Sequence, residues 1–350
     1  MGKYIKVPKI SFSSDNLGKV TFKNTINDNV GLGKTIIIPN VSFASNNLGK
    51  VHIPNEHYFE YFTIESLEDN NTIHIKNIAV ESDTFYYSTN SGETWNSFVN
   101  EKGTITNITT INTGEKVIIK CNTDRLAISW NDYNSFRGSK KFKVYGNPMS
   151  LLWGDNFITH PEFKPGSTHN LCGLFYESKN LIDASDLVLP ALTLMVSSYN
   201  GMFRACSNLV NGPKLLPALD VPQDGYSSMF EGCVKLIEGP EIDAITVSGT
   251  GAMMRMFCMN RSSKVTAAMT KSPILRVKNP NEYTNGYQQI FCGNGNITEV
   301  TILAEGTDLV FGNWLAYSSD SGVIKKLSAT TLVSGSNGIP SGWTTQNIDT

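Results

Sequence analysis

A mainly β protein with short helices is predicted, arranged as small N-terminal β repeats, a β-sandwich domain and a solenoid of longer repeats. Three observations carry this expectation. Segments 7–22 and 38–53 repeat one another, residues 57–147 hold seven short runs of strand-like patterning, and Phe175, Phe203, Phe230, Phe257 and Phe291 recur 28, 27, 27 and 34 residues apart. Repetition at such a period is the signature of stacked units that bury their apolar faces only against each other.

The first element, residues 1–56, is a duplicated module. VPKISFSSDNLGKVTF (7–22) and IPNVSFASNNLGKVHI (38–53) share nine identities in sixteen positions at an offset of 31. Each copy alternates apolar and polar residues around an Asn/Gly turn, which reads as strand, turn, strand. So small a unit cannot hold itself together in water. The apolar positions Phe12, Val20, Phe22, Phe43 and Val51, with Leu17, Leu32 and Leu48 of a threefold Leu-Gly-Lys series, are therefore expected to be buried in an oligomer or against a larger particle. The middle member, GLGKTIII at 31–38, ends like a phosphate-binding loop, but Asp28 stands where the first glycine is required. Ile36, Ile37, Ile38 and Pro39 follow in place of a helix that would present amides to phosphate. A nucleotide site is excluded.

Residues 57–147 read as an independent β-sandwich domain, with strands at Phe62–Glu65, Thr72–Ile78, Thr84–Ser88, Thr104–Ile108, Lys116–Lys120, Leu126–Trp130 and Lys141–Tyr145. Within it, Ser88 to Trp95 (STNSGETW) resembles the Asp-box hairpin of sialidase-type propellers, with Asn90 at the aspartate position. That resemblance implies a capped turn with a tryptophan packed beneath it. A single copy implies no propeller.

Residues 148–170, with three prolines and the aromatic anchors Trp153, Phe157 and Phe163, form a connector. The repeats occupy 171–292 and a C-terminal cap 293–350. Met202, Phe203, Cys206 and Leu209 fall at i, i+1, i+4 and i+7, which predicts one apolar stripe on about two helical turns. Pro213 and Pro217 then favour extended chain. Cys206 and Cys233 stand one period apart and are expected to stack as small buried hydrophobes. Tyr199, Tyr226 and Tyr287 precede three of the phenylalanines, so they either close the start of each repeat or form a surface platform for a sugar; the first reading is preferred.

Composition narrows the function classes. A formal net charge of -2 with no lysine or arginine run argues against nucleic-acid binding. The six cysteines form no C-x-x-C pair and the five histidines have no ligand spacing with them, so no metal and no cofactor is expected. No window approaches the ~18 apolar residues of a membrane span, and the start MGKYIKVPKISFSSDN lacks a secretory apolar run. The acids Asp183, Asp186, Glu231, Glu238 and Glu241 sit at turn-like points of the repeats and are read as solvated, not as a catalytic pair, so no enzymatic activity is expected.

The phrase MFxxCxxLxxxPxxLPA, at Met202 and again in weaker form at Met229, resembles the BspA-like leucine-rich repeats of gut Bacteroidetes proteins and their phages. The likeness extends upstream through FTIESLEDNNTI, INTGEKVIIK and KVYGNPMSLLWGDNF and downstream to GSNGIPSGWT, covering about residues 60–345; the two repeats after Gly251 have lost the proline segment. The resemblance implies a leucine-rich-repeat solenoid used for display, adhesion or recognition. With the N-terminal module it implies a virion protein of a crAss-like or related tailed phage, on the outer surface of the particle. Head fibre or capsid-decorating protein is the first expectation, tail fibre or receptor-binding protein the second, a bacterial surface adhesin the third. The partners implied are further copies of the chain (a trimer by fibre analogy), capsid or other virion proteins, and a host glycan or surface protein.

Overall fold

The structure, a computed structural model, describes residues 56–78, 80–276 and 285–348. The duplicated module, with Phe12, Leu17, Val20, Phe22, Leu32, Phe43, Leu48 and Val51, lies outside the described residues. The fold is mainly β with few helical residues.

Two antiparallel sheets open the described chain. Strands β1 (Phe62–Ser66), β3 (Asp83–Ser88), β4 (Asn96–Asn100), β6 (Lys116–Lys120) and β8 (Phe142–Gly146) belong to one, in the order β4-β3-β6-β1-β8. Strands β2 (Asn71–Asn77), β5 (Ile105–Ile111) and β7 (Asn134–Gly138) form the other, in the order β5-β2-β7. Alternation explains why they face each other. Ile73 and Ile75 of β2 and Phe62 and Ile64 of β1 are fully buried, and the Phe62 and Phe136 rings meet at 5.2 Å between the sheets. The expected strand at Leu126–Trp130 does not form. Ile128 and Trp130 are exposed there, and the segment folds back through Ala127 opposite Tyr133 as the arm of a tight loop, while β7 forms eight residues later.

The hairpin expected at Ser88–Trp95 is present, joining β3 to β4. Asn90 Oδ1 accepts from the Thr94 amide (3.0 Å) and the Ser88 hydroxyl (2.7 Å), and its Nδ2 donates to Thr94 Oγ1 (2.9 Å). Asparagine thus caps the turn in the aspartate's place. Trp95 lies under Lys120, whose Nζ is 3.9 Å from the ring centre.

The first sheet does not end at β8. Strand β9 (Leu181–Leu187) pairs with it in parallel, so the sandwich-like region is not independent but shares a sheet and one continuous core with the repeats. Residues 55–350 form one compact unit. A short helix α1 (Ser150–Trp153) and a 3-10 turn (Gly154–Thr159) fill the connector, with Phe157 and Phe163 buried.

The repeats stack as parallel turns. Their extended edges carry β10 (Leu215–Leu216), β11 (Asp220–Val221), β12 (Glu241–Ile242) and β13 (Thr246–Val247), paired β10 with β12 and β11 with β13. A four-stranded parallel sheet follows: β14 (Lys271–Leu275), β15 (Glu299–Ile302), β16 (Gly322–Lys326) and β17 (Trp343–Asn347). Inside the turns one ring lies on the next. Phe175, Phe203, Phe230, Phe257 and Phe291 form neighbouring pairs at 5.2, 5.3, 5.4 and 5.7 Å, and Trp314 extends the series at 6.4 Å. Stacking therefore continues through the degenerate repeats and into the segment assigned to a cap.

The apolar stripe at Met202 to Leu209 is buried, as its spacing implies, but it is not helical. The amides of Tyr199, Gly201, Phe203 and Ala205 bond forward to the carbonyls of Gly225, Ser227, Met229 and Glu231 on the next turn. The residues between them close four-residue turns, as Met202 does to Tyr199 and Arg204 to Gly201. An α-helix would spend every amide on the carbonyl four residues back; here alternate amides are spent on the neighbour, and Ser197, Gly201 and Ala205 adopt positive φ to allow it.

Candidate recognition face

The three tyrosines named as a possible sugar platform are in the core. Tyr199, Tyr226 and Tyr287 are 1%, 0% and 2% exposed, and Tyr199 stacks on Tyr226 at 6.0 Å. Their place at the start of each turn points the ring inward with the Phe column, so they close the repeat and present nothing to a ligand. Cys206 and Cys233 are likewise buried, and each thiol donates to a carbonyl of the preceding turn, Phe175 at 3.0 Å and Phe203 at 3.1 Å. Burial pushes the Cys206 thiol up to about 12, which removes it as a nucleophile.

The residue directly after each phenylalanine builds a different column. It reads Tyr176, Arg204, Glu231, Cys258 and Cys292 on successive turns. The Arg204 guanidinium lies over the Tyr176 ring, 5.4 Å from its centre. On its other side Arg204 Nε is 3.2 Å from Glu231 Oε2. Cys258 and Cys292 form a disulfide. Three of the four junctions along this column are thus tied by a cation–ring contact, an ion pair and a covalent bond, and across the fourth Glu231 pairs with Arg261 instead.

Glu231 corrects the expectation of a solvated acid. It is 8% exposed and bonds Arg261 through Nε, and through Nη2 at 2.8 Å. Burial alone raises its pKa, but the Arg261 hydrogen bonds and the charges of Arg204 and Arg261 outweigh that and hold the carboxyl below its ordinary value. Arg255 completes the group, with Nε donating to Gln289 Oε1 at 2.8 Å. Burial and the nearby positive charge of Arg261 lower its pKa.

Beside this column, where the sheets meet the first turn, lies a pocket of about 340 Å³ lined by His74, Arg137, Glu177, Ser178, Lys179 and Asn180. Arg137 Nη2 donates to the Tyr176 carbonyl (3.0 Å) and to Glu177 Oε2 (3.3 Å). Arg137 Nε and the Ser178 hydroxyl are buried without a protein partner. Unpaired buried donors of this kind are costly unless water or a ligand meets them. No group of His, Cys, Asp and Glu fit to hold a metal occurs among the described residues, nor is any helix among them long and apolar enough to cross a membrane.

Sequence reasoning passed over this face because it followed the conspicuous tyrosines three positions before each Met-Phe or Ile-Phe pair. The signal was one step beyond the phenylalanine, where Arg204 and Glu231 alternate in charge at a spacing of one repeat. In comparisons with protein families, curated proteins and solved structures, nothing matches this chain.

Proposed function

We propose that the chain is a phage virion surface protein, a head fibre or capsid-decorating protein, held to the particle by residues 1–56 and displaying a leucine-rich-repeat solenoid joined to a β-sandwich. The observation that carries this reading is the ring column from Phe175 to Trp314 with its forward-bonded amides. Such an array is stiff along one axis and repeats its outward side chains at a fixed interval, which suits presentation of a surface and not turnover of a substrate. The resemblance to BspA-like repeats supports the same use. The buried disulfide also suits a bacterial surface adhesin, since such bonds persist outside the cytosol.

The test compares the full chain with residues 57–350. Light scattering should give an oligomer for the full chain and a monomer for the shorter one, and only the full chain should co-sediment with phage particles. A monomeric full chain with no affinity for particles would overturn the virion reading.

A further inference from the structure

We propose that the column Tyr176–Arg204–Glu231, with Arg255 and Arg261, binds an acidic oligosaccharide laid along the stacking axis, its anionic groups on the arginines and a sugar unit in the adjoining pocket. The inference rests on the display reading and names what is recognised.

Charge comes first. The chain has a formal net charge of -2, yet on this face Arg204 and Arg261 both pair with the single carboxylate of Glu231, and Arg255 is bonded to the uncharged Gln289. Three positive charges against one negative leave an excess of two. The Arg137–Glu177 pair alongside is neutral. A local excess of this kind in a chain of opposite overall sign draws anions.

Donor geometry comes second. Arg204 Nε lies 3.2 Å from Glu231 Oε2 in an ion pair, and Arg255 Nε donates to the uncharged Gln289. Their Nη groups make no hydrogen bond to the described residues. A guanidinium anchored at Nε with its outer nitrogens unspent is oriented for a carboxylate or sulfate, whose two oxygens match the fork. Anchoring also lowers the entropy lost on binding.

The pocket supplies the third observation. Ser178 Oγ and Arg137 Nε are buried and unpaired, and Glu177 and Asn180 bring carboxylate and amide groups to the same space. Short polar side chains of both donor and acceptor type suit the paired hydroxyls of a sugar ring. The volume of about 340 Å³ admits one such unit and no folded partner. Finally, the turns repeat at 5.2 to 5.4 Å between Phe175 and Phe257. A β-linked sugar advances by nearly that interval per unit, so successive units meet successive turns.

Titration calorimetry on the full chain tests the assignment with three β-1,4-linked probes: tetramannuronate, sulfated cellotetraose and neutral cellotetraose. At least one acid should bind ten-fold or more tightly than cellotetraose and weaken as salt rises; which acid does so separates a carboxylate ligand from a sulfated one. Arg255→Gln, which among the described residues loses one side-chain hydrogen bond, that to Gln289, should retain the wild-type melting temperature and lose at least five-fold in affinity. Glu231→Gln, which removes the competing carboxylate, should bind the acid several-fold more tightly even as its melting temperature falls. Equal affinity for cellotetraose, silence toward both acids, or wild-type binding by Arg255→Gln overturns the inference. A chain that still joins particles while ignoring both acids overturns this inference alone; one that binds acid but joins no particle overturns the virion reading instead.

Discussion

Cys258 and Cys292 occupy the position that Arg204 and Glu231 occupy on the turns before them, directly after the stacked phenylalanine, and there the ion pair is replaced by a covalent bond. The exchange happens where the repeat lengthens from 27 to 34 residues and loses its proline segment. The turn with the least regular chain therefore carries the strongest tie.

That placement makes the disulfide important to stability. It closes a loop with a sequence separation of 34, for which the chain-entropy relation gives about 4 kcal/mol. The double variant Cys258→Ala, Cys292→Ala should therefore melt several degrees lower, and reductant should lower the wild type equally while leaving the variant unchanged. Thiol titration of the unfolded, unreduced chain should count four thiols, those of Cys121, Cys172, Cys206 and Cys233. A count of six would contradict the pairing.

Phe230 is stacked on both faces, 5.3 Å from Phe203 and 5.4 Å from Phe257, and is fully buried. Phe230→Ala removes contacts to two turns at once and should cost about 3–5 kcal/mol in guanidinium unfolding. Phe230→Leu, which keeps most of the volume, should cost under about 1.5 kcal/mol. Because Phe203 touches the same ring, the two Leu variants combined should depart from additivity, in contrast to Phe230→Leu combined with a sandwich variant such as Val117→Ala.

The phenylalanine period was legible because ring spacing along the chain survives any local conformation. The conformation between the rings was not. A stripe at i, i+1, i+4 and i+7 suits a helix equally well, and only the forward hydrogen bonds to the next turn decide against it. Glycine was the available clue: Gly173 and Gly201 precede their phenylalanines by two residues and Gly232 and Gly293 follow theirs by two, all at positive φ. Strand β7 escaped because Asn134-Ser135-Phe136-Arg137-Gly138 lacks alternation; its polar residues are buried by bonds such as Asn100 Nδ2 to Asn134 Oδ1 (2.6 Å), which pattern alone does not announce. The arginine face was missed for a related reason, since its charges are brought together by stacking and not by proximity in sequence.

Two histidines set the acid side of the stability profile. Burial lowers the pKa of His74, helped by the Arg137 charge and opposed by its hydrogen bond to the Thr72 carbonyl; burial and Arg125 lower His169, opposed by Asp224. A folded pKa below the ordinary 6.5 means that the unfolded chain takes up the proton first. Their contribution is complete above pH 6.5 and is lost as pH falls through the depressed values. Urea midpoints should thus decline between pH 7 and pH 5.5, with a slope no steeper than about 1.4 kcal/mol per pH unit for each proton taken up. His74→Gln should flatten part of that decline. Asp83 and Asp224, raised by burial, act in the opposite sense in a lower window, so a midpoint that rises from pH 7 to pH 5.5 would show that the histidines are not the controlling groups.

The joint between sheet and repeats depends on Gly146, the last residue of β8, where β9 ends its parallel course and the Val188 amide just beyond it bonds the Gly146 carbonyl at 2.9 Å. Gly146 has φ +81, and a Cβ there would come 2.1 Å from the Tyr61 carbonyl oxygen. Gly114 has nearly the same φ, +78, but a Cβ there would meet nothing within 4 Å. Alanine at either position pays the left-handed backbone cost of about 1 kcal/mol. Only at Gly146 must the backbone of a neighbouring strand also move, for a further 1–3 kcal/mol. The difference between the two variants in denaturant midpoint therefore isolates the close approach of Tyr61 to the end of β8. Equal losses would mean that this junction yields freely, and that the repeats are held to the sheets by the shared Phe62–Phe175 contact, at 5.9 Å, more than by the backbone seam.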